Sequence, residues 1–540
     1  MPGTDSIPEI QSTGNYNLHL NFQKILICGL VLAFVSLSCA IGVLDQNDPL
    51  FNAPNGVGVW TPTPPINFPT DGPELTESNN QSPGELISLA TDVPTPQSIP
   101  VDAAPLLYYT QAGDTLPVVA TRFGVEVADV SAPSGAIPTT GLLTPNTLLI
   151  IPHMLVNTTS SKQIIPDSEL VYSPSAVDFD ITAYTAQAGG YLSTYRVWLG
   201  TTQWTSGAEL VQRIALENSI NPRLLLALLE YQSGWVYGQP SNALQEDYPM
   251  GKVDLSLKGL YSQLAWSVNQ LSTGYYGWRE GWMTEIQFSD GVRARLAPDL
   301  NSGTVALQYY MAQVYDTPGW LGALDPSSGI PVLYENMFGN PWLRAMEVEP
   351  LYPPSLEQPN LILPFLIGQI WSYTGGPHGA WERDGSRAAI DFAPGSTESG
   401  CVSSNAWVVA SAPGLIVRAE HGAIVEDLDG DGNEQTGWNI LYLHITGSRV
   451  KAGDWVETSD YLGHPSCEGG LATGTHVHIA RKFNGEWISA NGPLPFMLSG
   501  WTVHAGNAPY DGTMTNGNDT ITSSIYGSIE SKIVRTRVIP

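Results

Sequence analysis

The apolar residues of this chain change their period partway along it: through Ser206 to Trp342 they recur at helical spacing, and beyond Leu361 they gather into short runs bounded by glycine. A helix buries one stripe, whereas a strand buries alternate residues, so the two stretches belong to different packing units. In ELVQRIALENSINPRLLLALLEYQSGWV, Asn221 and Pro222 mark a helix start, and Leu224, Leu225, Leu228 and Leu229 supply the apolar stripe. Further on, Trp407 to Val409, Leu415 to Arg418, Ala423 to Glu426, Trp438 to His444 and His476 to Arg481 read as strands separated by glycine turns. At 540 residues the chain exceeds what one core organises and fits several modules.

Four of the nine histidines fall in short motifs of the strand-rich part: His378 in GGPHGAW, His444 in ILYLHI, and His476 and His478 in TGTHVHIA. Asp391 lies among them in AAIDFAPG. Histidines at i and i+2 leave the same face of a strand, so HVH aims both rings into one cleft while Val477 points the other way. Imidazole and carboxylate groups are donors that zinc takes, with one position left for water. No HExxH helix occurs, which excludes the thermolysin arrangement.

On these motifs, the region from about Leu361 to Met497 resembles the lysostaphin-type zinc endopeptidases, also called the LytM family, which cut peptides in bacterial cell walls. The resemblance implies that His378, Asp391 and His478 hold zinc and that His476 and His444 flank the attacking water. His476 is expected to orient or deprotonate that water and His444 to stabilise the oxyanion, and the order can be reversed. The commonest form of the family has three residues between the first histidine and the aspartate. Counted back from Asp391, that spacing lands on Arg387, which cannot serve as a ligand. The longer GAWERDGSRAAI interval resembles the LasA-like branch, in which a loop is inserted between the ligands.

A second acidic cluster lies in VEDLDGDGNEQTGW, where Asp427, Asp429 and Asp431 alternate along a glycine-rich turn and Asn433 follows. Crowded hard oxygen donors suit calcium, although Glu434 comes too early to close an EF-hand loop. The competing reading is a solvated acidic turn between two strands. Outside the N-terminal apolar stretch the only cysteines are Cys401 and Cys467, and an extracytoplasmic setting makes one disulfide between them the expectation. A pair of buried thiols is the alternative.

From Ile25 to Leu44 the chain is uncharged and largely apolar, long enough to cross a hydrocarbon core, and Lys24 before it orients the short N-terminal side inward. An uncleaved signal anchor is the first expectation, a lipid anchor on Cys39 the second and simple secretion the third. The following Pro-, Thr- and Asn-rich stretch reads as a disordered linker. YYTQAGDTLPVVATRFGVEVADV with LTPNTLLIIP then resembles a LysM module, a βααβ unit that binds N-acetylglucosamine-containing glycans. The helical stretch resembles lytic transglycosylases and other lysozyme-like domains, but YQSGW puts Gln232 where the catalytic acid is expected, and Gln cannot protonate a glycosidic oxygen. Glu230 lies roughly 200° around the helix from it, so the middle-domain cleft is expected to hold glycan rather than cleave it.

The expected fold is therefore multidomain. Residues 1–24 are cytoplasmic or an n-region, 25–44 the anchor, 45–106 the linker, 107–153 a small LysM-like α+β module, and 154–205 a connecting segment. They are followed by an α-helical lysozyme-like domain at 206–345, a mainly antiparallel β zinc peptidase domain at 355–500 and a C-terminal extension at 501–540, read as a short hairpin or lid and then a frayed end. With 22 basic against 51 acidic residues, the net charge of −29 excludes a nucleic-acid partner. The expected partner is peptidoglycan, through its peptide stems and its glycan, with the membrane held by the anchor. Two other function classes remain: a noncatalytic wall-binding or amidase-activating protein, and a transglycosylase acting through the middle domain.

Overall fold

The computed structural model describes residues 104–353 and 355–536. The apolar run from Ile25 to Leu44, Cys39 within it and nearly all of the linker lie outside those residues. Among the described residues no helix is long and apolar enough to cross a membrane.

β1 (Leu106–Tyr109) and β2 (Leu148–Ile151) pair antiparallel, and α1 (Leu116–Phe123) shares a small core with them. Thr115 caps α1 by accepting from the Val118 amide, and Gly124 ends it in the left-handed conformation, φ 66°. Where a second helix was expected, only a single 3-10 turn forms at Val127–Asp129, because GVEVADVSAP offers few helix-favouring residues before its proline. Arg122 is buried, pairs with Asp114 at 2.8 Å and donates to the Trp278 carbonyl at 2.9 Å, docking this module on the helical region.

That region is built on α2 (Ile181–Ala188), α3 (Gly207–Asn218), α4 (Pro222–Ser233), α5 (Leu260–Arg279) and α6 (Ser302–Val314). α4 begins where the sequence places it: the Asn221 side chain accepts from the Arg223 amide at 3.0 Å, and Gly234, φ 68°, terminates the helix. The stretch 154–205, expected to be a connector, is instead part of this core, with Ile165, Leu170, Val171, Ile181 and Leu192 buried in one cluster with Leu224 to Leu229. Its short elements show no periodicity of their own, since tertiary packing rather than local propensity stabilises pieces of this length.

The strand-rich region forms a nine-stranded sheet. Its strands are β3 (Ile370–His378), β4 (Ala389–Pro394), β5 (Gly414–Glu420), β6 (Ala423–Asp427), β7 (Trp438–Leu443), β8 (Trp455–Val456), β9 (Val477–Phe483), β10 (Glu486–Trp487) and β11 (Lys532–Val534). They lie in the order β8-β5-β6-β7-β9-β4-β3-β11, every pair antiparallel, with β10 folded back on β9. Ala423, Val425, Leu441, Leu443 and Ala480 face the helical region, while Ile424, Ile440, Tyr442 and Ile479 face a second core on the other side. Burial on both faces explains why ILYL reads as an unbroken apolar run.

The C-terminal residues do not fray within the described part. Trp501–Ala505, Gly512–Asn516 and Asp519–Thr522 make a meander, and β11 then pairs with β3 to cover the edge of the main sheet. Arg279 at the end of α5 bonds Glu486 of β10 at 2.8 and 2.9 Å and Asp167 at 3.2 Å, a buried network tying the helices to the sheet.

Candidate active site

Strand pairing brings the sequence-distant ligand candidates together. Asp391 in the middle of β4 lies directly opposite His478 on β9 and opposite Gly375 on β3. A β-carbon at Gly375 would fall 2.4 Å from the Asp391 carboxylate, so only glycine leaves that group its space. Two register irregularities between Tyr373 and His378 then set His378 opposite Ala389. The interval between His378 and Asp391 is thus a hairpin, and its length does not separate the two candidate ligands.

His378 Nε2, His478 Nδ1 and Asp391 Oδ1 form a triangle with edges of 3.0, 3.3 and 3.3 Å. Donors about 2.0–2.1 Å from a tetrahedral zinc stand about 3.3–3.4 Å apart, so the triangle has the size of one face of such a site. The opposite ring nitrogens settle the chemistry. His378 Nδ1 lies 2.8 Å from the Gly376 carbonyl and His478 Nε2 lies 2.9 Å from the Ala380 carbonyl. A carbonyl only accepts, so those two nitrogens carry the protons and the nitrogens facing each other carry lone pairs. Asp391 Oδ1, between them, has no hydrogen-bond partner although it is buried. Three inward acceptors around one point fit a cation.

The same packing sets the electrostatics. Burial pushes the Asp391 carboxyl up, but the imidazoles of His378 and His476 outweigh it and hold the group well below the usual carboxylate range. Burial pulls His378 down, and the Asp391 carboxylate reverses the sign. His478 is lowered, chiefly by burial.

His444 and His476 stand beside this triangle, their ring centroids 4.5 Å apart. His444 follows β7 with φ 65°, a left-handed conformation that turns the chain out of the sheet, and its Nδ1 bonds the Glu468 carbonyl at 2.8 Å. Burial and the neighbouring imidazoles push it down to about 3, so it is neutral at ordinary pH. His476 Nδ1 bonds the Gly474 carbonyl at 2.8 Å, and its Nε2 points toward Asp391 Oδ1 at 3.7 Å. The five residues singled out by their motifs therefore converge. Val477 points into the second core, as the i, i+2 rule requires.

Tyr510 is the residue that sequence reasoning missed. Its ring stacks on His378 at 4.1 Å with an interplanar angle of 20°, and its backbone carbonyl accepts from Gly376 at 2.7 Å. GNAPYDG carries no signal for this, because the contact depends on how the C-terminal meander folds over β3. The inserted loop between the ligands lies on the helical region: Ala380 is buried in that core, and Asp384 exchanges two 3.1 Å bonds with Asn269.

The other candidates fall as follows. Cys401 and Cys467 form a disulfide. Asp427, Asp429 and Asp431 bring carboxylate oxygens within 4.8 Å of one another, whereas the Asn433 amide donates to Asp431 and Glu434 is taken by Arg418 and Lys482. Glu230 and Gln232 do not open on a shared cleft. Glu230 accepts from the Val236 and Tyr237 amides at 2.9 and 3.0 Å, closing the turn after α4, and Gln232 Oε1 accepts from the Tyr315 hydroxyl at 2.6 Å.

The family model described as the N-terminal domain of LasA matches residues 163–352, taking in the helical region and most of the stretch expected to connect to it. Protease LasA of Pseudomonas aeruginosa is 25% identical over 373 residues, which cover 64% of this chain and 79% of that protein. The beta-lytic metalloendopeptidase of Achromobacter lyticus is 28% identical over 162 residues, 28% of this chain and 41% of its own. That of Lysobacter enzymogenes is 28% identical over 165 residues, 28% of this chain and 85% of its own. Among solved structures, the deep-sea M23 metalloprotease pseudoalterin is 25% identical, covers 31% of this chain and 96% of its own, and has a TM-score of 0.27.

Proposed function

Because this chain carries a metallopeptidase domain of the lysostaphin type, we propose that it hydrolyses peptide bonds in bacterial peptidoglycan with zinc as its metal. The observation that carries the reading is the triangle of inward-facing acceptors on His378, Asp391 and His478, with two further imidazoles beside it. Those three residues would hold the ion, which when bound supplies Lewis acidity and an activated water.

The remaining steps belong to the chain's own groups. With Nδ1–H committed to a carbonyl, His476 offers Nε2 as a proton acceptor, and it is the imidazole of the pair with access to solvent. It takes the proton of the attacking water and returns it to the leaving amine. His444 also has its Nδ1–H committed, so its Nε2 accepts a hydrogen bond and donates to an oxyanion only after a proton reaches it. Since both rings share this tautomer, it is the solvent access of His476 against the burial of His444 that favours His476 for the first proton transfer. The Gly376 and Ala380 carbonyls keep the ligand rings in the tautomers the metal needs.

In the same reading, the β1-α1-β2 module is a LysM-type binder of N-acetylglucosamine-containing glycan. The run from Ile25 to Leu44 anchors the enzyme on the extracytoplasmic side of the membrane. The test is zinc content by mass spectrometry together with analysis of purified peptidoglycan digested by the chain without its anchor. About one zinc per chain and new peptide amino termini that vanish in His476→Ala are expected. Absent metal with intact peptides overturns the proposal.

A further inference from the structure

The turn between β6 and β7 lies apart from the zinc ligands, and its side chains have a use of their own. We infer that Asp427, Asp429, Asp431 and Asn439 form a calcium site. Their donors are all oxygen, as a hard cation requires. Asp427 is fully buried, and its carboxylate accepts from the backbone amides of Asp429, Gly430 and Gly432 at 3.1, 3.2 and 2.9 Å. Asp429 and Asp431 bring their carboxylates into the same small volume. Among the described residues no Lys or Arg pairs with any of the three; the basic groups nearby, Arg418 and Lys482, are spent on Glu434 at 3.0 Å each.

The independent evidence is Asn439. It is fully buried and directly opposite Asp427 in the β6–β7 ladder, so both side chains leave the same face of the sheet. Its amide nitrogen donates to the Thr436 carbonyl at 2.7 Å, and Thr436 in turn donates to Asp431 at 2.7 Å, which clips the asparagine to the acidic turn. Its Oδ1 has no partner. Rotating the carboxamide would set that oxygen against the Thr436 carbonyl, so no flip cures the defect. A buried acceptor left unpaired across the ladder from Asp427 is what a cation held by the acidic turn would satisfy.

Backbone conformation and charge fit the same ion. Gly430 and Gly432 hold φ 73° and 90°, letting the chain wrap tightly around the carboxylates. Asp427, Asp429 and Asp431 crowd three like charges into one small volume, which a divalent ion relieves. Calcium accepts the irregular, six-to-eight-oxygen shell that four side chains plus backbone or water can fill, whereas magnesium demands a near-ideal octahedron. The site stands independently of the peptidase reading.

Trp455 supplies a probe, since its ring lies about where a β-carbon on Gly430 would touch it, at 3.0 Å. Terbium added to the zinc-loaded chain should emit on excitation of tryptophan, saturably, and calcium should displace it at concentrations where magnesium does not. Calcium should also raise the thermal midpoint of the wild-type chain. Asp431→Asn, at an exposed position, should weaken terbium binding at least tenfold while its midpoint without calcium stays at or above the wild-type value. Asn439→Ser should weaken it as well, with zinc content unchanged in both variants. Unsaturable emission, equal displacement by magnesium, no rise of the midpoint with calcium, or undiminished binding by the variants would each overturn the inference.

Discussion

His378 Nε2 and His478 Nδ1 face each other at 3.0 Å, each with its other ring nitrogen bonded to a backbone carbonyl. Two lone pairs at that distance repel unless a cation lies near both, and Asp391 Oδ1 completes the same arrangement. The backbone carbonyls, more than the ligands themselves, define what can bind here, because they fix which nitrogen is free.

The division of labour among the histidines predicts different losses. With His478 as a proposed ligand, His478→Ala should abolish both zinc retention and activity. His476→Ala should keep its zinc and lose about 10²–10⁴ in kcat, the usual contribution of a general base. Metal analysis beside peptidoglycan digestion separates the two; loss of zinc in His476→Ala would show that it is a ligand.

Tyr510, itself exposed, stacks its ring on buried His378. Tyr510→Ala should weaken zinc about three- to tenfold, the equivalent of an aromatic contact worth about 0.5–1.5 kcal/mol. Tyr510→Phe should retain wild-type affinity, because the contact uses the ring. Competition with a chromogenic chelator measures both.

A carboxyl bonded to Tyr442 of the second core gives the pH dependence. Glu426 is fully buried and accepts the Tyr442 hydroxyl at 2.6 Å, and burial pushes it up to about 8 from an ordinary 4.5. The folded chain therefore holds this proton more tightly than the unfolded chain. The contribution is complete below pH 4.5 and is lost as pH rises toward 8. The difference in unfolding free energy between wild type and Glu426→Gln should fall across that window by up to about 1.4 kcal/mol per pH unit. A flat difference in denaturant titrations would show that the group is ionised throughout.

The disulfide joins residues 66 apart, and the loop carrying Cys401 is also bonded to the segment before His476, with the Thr475 amide donating to Gly400 at 3.1 Å and the Val402 amide to Thr475 Oγ1 at 2.9 Å. Replacing both cysteines by serine should cost about 2–4 kcal/mol of stability. Activity should fall at temperatures where the variant is still folded, since His476 loses its support. Thermal melts and digestion rates on the same samples test this.

The site residues were legible because their chemistry is concentrated in short motifs. HVH on a strand fixes two rings by a period of two, and the aspartate and the lone histidines were recognisable by resemblance. The long gap before Asp391 departed from the commonest spacing, and only strand register showed that the gap is a hairpin loop. The middle region was harder. Its helices announced themselves by apolar spacing, but Gln232 and Glu230 drew attention through a likeness to lysozyme-like domains, and in the fold each is occupied by an internal bond.

Local periodicity and side-chain chemistry, then, were readable from the chain alone: the helical stripe of α4, the strands of the large sheet and the five candidate site residues that converge on one cleft. Tertiary structure alone decided the tautomers of His378 and His478, the stacking of Tyr510, the orphaned oxygen of Asn439 and the incorporation of 154–205 into the helical core. Each of these depends on a group far away in the chain, and a hydrogen bond or packed ring across such a distance leaves no period in the residues that make it.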